Sequence, residues 1–178
     1  MTKGTSRTVI QEGAYVYKRP NVNRYIRKLA DLDELVEYRN EFSKEEYYCL
    51  YQTFLELEIY SSASYEQRNF LAPPIKVTYD NKNIPIVVFP YLQPICTIKQ
   101  AHELEEDEVF EVLTDKLYKL GMPDDQIGEA LEGISDLCEE FNLSVDDILG
   151  NLSNCGYNSI LGFRVLDYGL DEEFINEI

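Results

Sequence analysis

The helix that begins at Ser43 constrains this chain more than any other stretch. Ser43-Lys44-Glu45-Glu46 fits the S-x-x-E capping box, in which serine and glutamate each satisfy the other's orphan backbone amide, so a helix starts there. It is expected to run to about Tyr60, with Tyr47, Leu50, Tyr51, Phe54 and Leu57 along one stripe. A second stripe joins Tyr48, Gln52, Leu55, Glu56 and Ile59. A helix with two apolar stripes is largely buried. Glu56 therefore stands where a carboxylate is costly unless a cation meets it.

Before this helix the chain reads as β-structure. Residues 3–10 run from small polar into β-branched residues and meet a turn at Gln11-Glu12-Gly13. Ala14 to Lys18 follows as a short strand with Ala14, Val16 and Lys18 on one face, and Pro20 ends it. Residues 22–38 place Val22, Tyr25, Ile26, Leu29, Leu32, Leu35 and Val36 at near-helical spacing, which predicts one or two amphipathic helices. Residues 61–69 read as a polar loop. Ile75 to Tyr79 and Ile84 to Phe89 then flank Asp80-Asn81-Lys82-Asn83 as a hairpin, with Pro85 at an edge or a strand start.

Pro90 and Pro94 bracket a stiff, extended connector, and the composition changes beyond it. The expectation is a lobe boundary near residues 91–94, with residues 1–92 as a small sheet-plus-helix lobe and 93–178 as a mainly helical one. Helices are predicted over 104–120 and 126–141. In the second, Ile127, Ala130, Leu131, Ile134, Leu137, Cys138 and Phe141 give the strongest periodicity in the sequence. Phe141 is followed by a polar loop over 142–159 with no further hairpin pattern, and then by a short strand, Phe163 to Leu166. The fold class is α+β, and 178 residues suffice for a real core.

Charge is distributed unevenly. Residues 1–29 carry a net +6, residues 30–100 a net −5, and residues 101–178 a net −18, for −17 in all. Such a balance disfavours direct nucleic-acid binding through phosphates. It allows either a solvated surface or a DNA-mimicking surface that occupies a basic groove on a partner. No apolar run is long enough to cross a bilayer, and no signal peptide is apparent, so a cytoplasmic location is expected. Cys49, Cys96, Cys138 and Cys155 are widely spaced and His102 is the single histidine, which argues against a structural zinc site and for free thiols.

Taken in order, these pieces are a glycine-bearing turn, a strand with a lysine, a buried helix with a glutamate, a hairpin, a connector and two helices. An Asp…Asn loop and a strand ending in Asp167-Tyr168-Gly169 complete the series. That order resembles the protein-kinase-like fold in a minimal form, similar to small kinase-like proteins of phages. The resemblance implies a two-lobed α+β protein with an ATP and magnesium cleft between the lobes, and for a phage protein the host cytoplasm. It implies that Lys18 holds the α- and β-phosphates and that Glu56 positions Lys18, with the stretch around 22–40 as an insertion. Gly4-Thr5-Ser6-Arg7 is similar to a reduced phosphate-covering loop, in which Gly4 and Ser6 would offer backbone amides. Phe89, Pro90, Tyr91 and Leu92 resemble the hinge that reads the adenine edge.

The same resemblance makes Asp146 or Asp147 the catalytic base for a Ser or Thr hydroxyl on a protein substrate. Asn151 and Asp167 would be the magnesium ligands. Asp146 to Asp167 spans 21 residues and Asn151 to Asp167 spans 16, room for a short strand-turn-strand. Departures accompany the likeness. Ser144-Val145 replaces the usual His-Arg, Ile148 stands at the usual lysine, and the chain stops nine residues after Gly169, before the activation segment and later helices of the family. A pseudokinase, or an acidic non-enzymatic inhibitor or adaptor for a basic partner, are the alternatives. Taken singly, Asp146, Asp147 and Asn151 also fit a helix cap, and Asp-Tyr-Gly a tight turn.

Overall fold

The computed structural model describes residues 2–3 and 6–169, with the backbone alone at 2, 3, 106, 107 and 147. The chain divides into two units, Met1–Ser62 with Pro73–Tyr91, and Ala63–Ala72 with Leu92–Ile178. Both helices and antiparallel sheet are present, so the protein is α+β.

In the first unit, β1 (Thr2–Lys3), β2 (Arg7–Glu12) and β3 (Tyr15–Pro20) form consecutive antiparallel strands. The turn between β2 and β3 places Gly13 at φ +60°, a left-handed backbone that glycine adopts without steric cost. This turn fixes the register at Glu12 opposite Tyr15, which brings Val9 opposite Lys18 and Arg7 opposite Pro20. Side chains opposite one another share a face, as do those two apart on one strand. Arg7 and Lys18 therefore lie on the same face of the sheet.

The stretch after β3 departs from its periodicity. Residues 22–31 are irregular, and only α1 (Leu32–Glu37) and a 3-10 turn at Arg39–Glu41 are helical. The backbone there finds partners outside itself. The Ile26 amide donates to the Lys82 carbonyl at 3.1 Å, and the Asn83 side chain donates to the Ile26 carbonyl at 2.9 Å. The Tyr79 hydroxyl reaches the Leu29 carbonyl at 2.6 Å. Val22, Ile26 and Leu29 are buried through these tertiary bonds rather than on a helix face.

Helix α2 (Lys44–Ser62) starts at the expected capping box, with the Glu46 amide donating to Ser43 Oγ at 3.2 Å and the Ser43 amide to Glu46 at 3.1 Å. The short helix α3 (Tyr65–Arg68) occupies what reads as a loop, closed by a capping box of Ser64 and Gln67. β4 (Lys76–Tyr79) and β5 (Pro85–Pro90) form the hairpin, and β5 pairs with β3 to give the sheet order β1-β2-β3-β5-β4. Pro85 opens the interior strand β5, and at a strand's first residue its missing N–H is tolerated. Asp80 fixes the turn: its carboxylate accepts from the amides of Lys82 and Ile84 and, at 2.8 and 3.0 Å, from Arg19.

The second unit contains α3 together with α4 (Ile98–His102), α5 (Glu106–Lys119), α6 (Asp124–Glu140) and α7 (Val145–Ile148). The ends of α5 and α6 are closed by the same device. Met122 donates to Leu117 across Gly121 (φ +90°), and Leu143 donates to Cys138 across Asn142 (φ +52°). A small sheet of β6 (Gln93–Pro94), β7 (Cys155–Asn158) and β8 (Gly162–Val165) accompanies them, in the order β6-β7-β8. The β7–β8 hairpin corrects the expectation of an unstructured polar loop up to residue 159 and occupies the strand-turn-strand spacing noted before Asp167. Cys-Gly-Tyr-Asn lacks apolar alternation. It is a strand because it is paired on both sides, and Gly156 lies where a Cβ would meet Leu166 at 2.9 Å and Leu92 at 3.0 Å.

Candidate functional site

Glu56 is fully buried on α2, and the structure supplies the cations it demands. Lys18 Nζ donates to Glu56 Oε1 at 2.8 Å, and Arg7 donates to Glu56 Oε2 at 2.7 Å. Arg7 is 3% and Lys18 6% exposed, so one carboxylate divides its two oxygens between two cations away from bulk water. The Lys18 ammonium also lies 4.5 Å from the centroid of the Phe89 ring, a cation–π contact from the neighbouring strand β5. One turn earlier on the same helix face, Gln52 Oε1 accepts from Ser6 Oγ at 2.5 Å. A helix face of Gln52 and Glu56 thus docks on Arg7 and Lys18 of the sheet and on Ser6 just before β2.

Arg7 is the residue that sequence reasoning missed as a partner of Glu56. The signal lay in the register. A turn at Gly13 pairs residues whose numbers sum to 27, which sets Val9 across from Lys18 and puts Arg7 on the same face two residues away. Chemically, a guanidinium and an ammonium side by side suit phosphate oxygens, since both are donors without acceptors.

The other expected residues are placed as follows. Gly4 lies outside the described residues. Pro90 ends β5, the Tyr91 amide donates to the Ala14 carbonyl at 2.8 Å, and Leu92 is buried. Asp146 is exposed on α7, and Asp147 belongs to the same short helix. Gly150 follows closely, since a Cβ there would stand 2.3 Å from the Asp146 carbonyl oxygen. Asn151 caps a 3-10 turn (Leu152–Asn154): its Oδ1 accepts from the Ser153 amide at 3.2 Å and from Ser153 Oγ at 2.7 Å.

A side-chain carbonyl has two lone pairs, and both of Asn151's are committed to Ser153. As arranged, Asn151 does not fit a magnesium ligand, and the capping role is the one the geometry gives it. Asp167 is half-buried, and Tyr168 is fully buried with its hydroxyl donating to the Ala72 carbonyl at 2.9 Å. Among the described residues no group of three or more His, Cys, Asp or Glu is disposed to hold a metal ion. All four cysteines are buried and outside any disulfide, and burial pushes the Cys155 thiol up to about 12, which removes it as a nucleophile. Among the described residues no helix is long and apolar enough to cross a membrane.

Compared with known proteins, the chain matches no family model, no curated protein and no solved structure.

Proposed function

We propose that the chain is a kinase-like nucleotide-binding protein in which Lys18, held by Glu56, receives the phosphates of ATP. One observation carries the reading: a lysine on the third strand of an antiparallel sheet lies 2.8 Å from a buried glutamate on the long helix that follows. This is the pairing that the resemblance to the kinase-like fold requires. Arg7, bound to the other oxygen of the same carboxylate, supports it as a second donor suited to phosphate. In this reading Ser6 approaches the phosphates by its backbone. The adenine edge falls to the run 90–92, apart from the Tyr91 amide, which Ala14 takes.

Magnesium belongs here to the nucleotide, carried on its phosphates. No transfer step is assigned, because Asn151 spends its oxygen on Ser153 and Asp146 is exposed on α7. The proposal is therefore a binding function of the pseudokinase kind.

Thermal unfolding with and without millimolar Mg-ATP tests it. A ligand at about 100 times its Kd adds about 2.7 kcal/mol, which for a chain of this size raises Tm by about 5–10 °C. The gain should vanish in Lys18→Ala. No gain in the wild type, or an undiminished gain in Lys18→Ala, overturns the reading. Tight, salt-sensitive binding to a basic protein, together with no stabilisation by Mg-ATP, would replace it with the acidic-decoy reading.

A further inference from the structure

Helix α5 turns Val109, Leu113 and Leu117 inward, and all three are buried. The rest of such a helix is ordinarily polar. Here it holds Phe110 and Tyr118, which are 56% and 63% exposed. Phe110, Thr114 and Tyr118 recur every four residues and form one ridge along the helix, with Glu111 and Asp115 as the ridge beside it. With Asp124 at the first turn of α6, these residues line a groove of about 380 Å³.

The surroundings are strongly acidic. Residues 103–125 hold nine acids against two lysines, a net −7. Neither lysine offsets the groove. Lys116 donates to the Ile95 carbonyl at 2.7 Å and to Cys96 Sγ at 3.3 Å, and Lys119 is paired with Asp115 at 2.5 Å. Glu111 and Asp124 enter no ion pair among the described residues. Aromatic faces beside unpaired carboxylates favour a cation that also brings apolar surface. Nucleic acid and anionic lipid are repelled by this field, and so is a second copy of the same face.

We infer that the groove formed by α5 and the start of α6 is a docking site for a basic protein segment that carries a lysine or arginine next to an apolar side chain. The charge complementarity selects the partner's sign, and the exposed rings supply the anchor. The site is separate from the nucleotide reading, since Lys18 takes no part in it.

The test is a selection of the intact protein against a random dodecapeptide display library at about 0.15 M salt, where attraction between exposed charges is screened beyond ~8 Å. Recovered peptides are then synthesised with a fluorophore and titrated by anisotropy. Enrichment of Lys or Arg beside Leu, Phe or Tyr is expected. Phe110→Ser and Tyr118→Ser, at positions already exposed, should each weaken binding about tenfold, as loss of an interfacial aromatic anchor does. Glu111→Gln with Asp124→Asn should weaken binding several-fold, and Lys18→Ala should leave it unchanged. Absence of enrichment, enrichment of neutral or acidic peptides, or affinity indifferent to Phe110→Ser and Tyr118→Ser overturns the inference. So does an all-lysine dodecapeptide that binds as tightly, because net charge alone would then be the hold. A concentration-dependent dimer abolished by Phe110→Ser would assign the face to a second copy instead.

Discussion

Replacing Glu56 with glutamine strips the counter-charge from two buried cations at once. Glu56 is fully buried, and its two oxygens bind Arg7 at 2.7 Å and Lys18 at 2.8 Å. Removing one partner of a buried ion pair costs about 3–5 kcal/mol, because a charge is left in a poorly solvating interior. The upper end applies here, since a neutral amide must face both cations. For a chain of this length that corresponds to a fall in Tm of about 10–20 °C. Arg7→Met or Lys18→Met alone leaves the carboxylate one cation and should cost less. The triple variant Arg7→Met, Lys18→Met, Glu56→Leu removes all three charges and should recover most of the loss, since apolar replacements of buried ion clusters are often neutral or stabilising. Urea unfolding followed by far-UV circular dichroism measures each case. A Glu56→Gln variant within about 1 kcal/mol of wild type, or a triple variant no more stable than Glu56→Gln, would refute the reasoning.

Three further expectations follow from other parts of the chain. Burial opposes ionisation of Asp80, but the Ile84 amide, Arg19 and the Lys82 amide outweigh it and hold the carboxyl below its ordinary value. Its stabilising share is thus present above the unfolded value near pH 4 and is lost as pH falls through the folded one. Asp80→Asn should cost about 1–3 kcal/mol at neutral pH and flatten the acid limb of a stability–pH profile. Gly150→Ala should cost about 1–3 kcal/mol by denaturant titration, because its Cβ would meet the Asp146 backbone oxygen at 2.3 Å and backbone yields poorly. Tyr168→Phe leaves the Ala72 carbonyl without its donor and should cost about 1–2 kcal/mol, against about 3–5 kcal/mol for Tyr168→Ala, which also empties a fully buried site.

Local signals made much of this architecture legible. The Ser43 capping box, the turn at Gly13 and the apolar spacing along α6 each depend on residues within a few positions of one another. So did the demand of a buried Glu56 for a cation, which Lys18 meets. What was not legible is decided across the chain. Residues 22–31 have helical spacing, yet the hairpin turn at Lys82 and Asn83 supplies their hydrogen bonds and keeps them irregular. The Arg24 guanidinium is drawn off to Glu46 at 2.8 Å and to the Glu41 carbonyl at 2.6 Å. Strand β7 has no pattern of its own and exists through its neighbours. Asn151 shows why an Asp…Asn spacing underdetermines chemistry, since the same oxygen that resembles a metal ligand completes a cap with Ser153.

The most direct measurement is the side-chain ammonium signal of Lys18 in protein labelled with ¹⁵N-lysine, followed by NMR as Mg-ATP is added. A saturable shift of the Lys18 resonance, larger than that of Lys116 or any exposed lysine and absent with adenosine, is the predicted result. Saturation of the protein by ATP with the Lys18 signal unmoved, or no binding at millimolar nucleotide, would contradict the account.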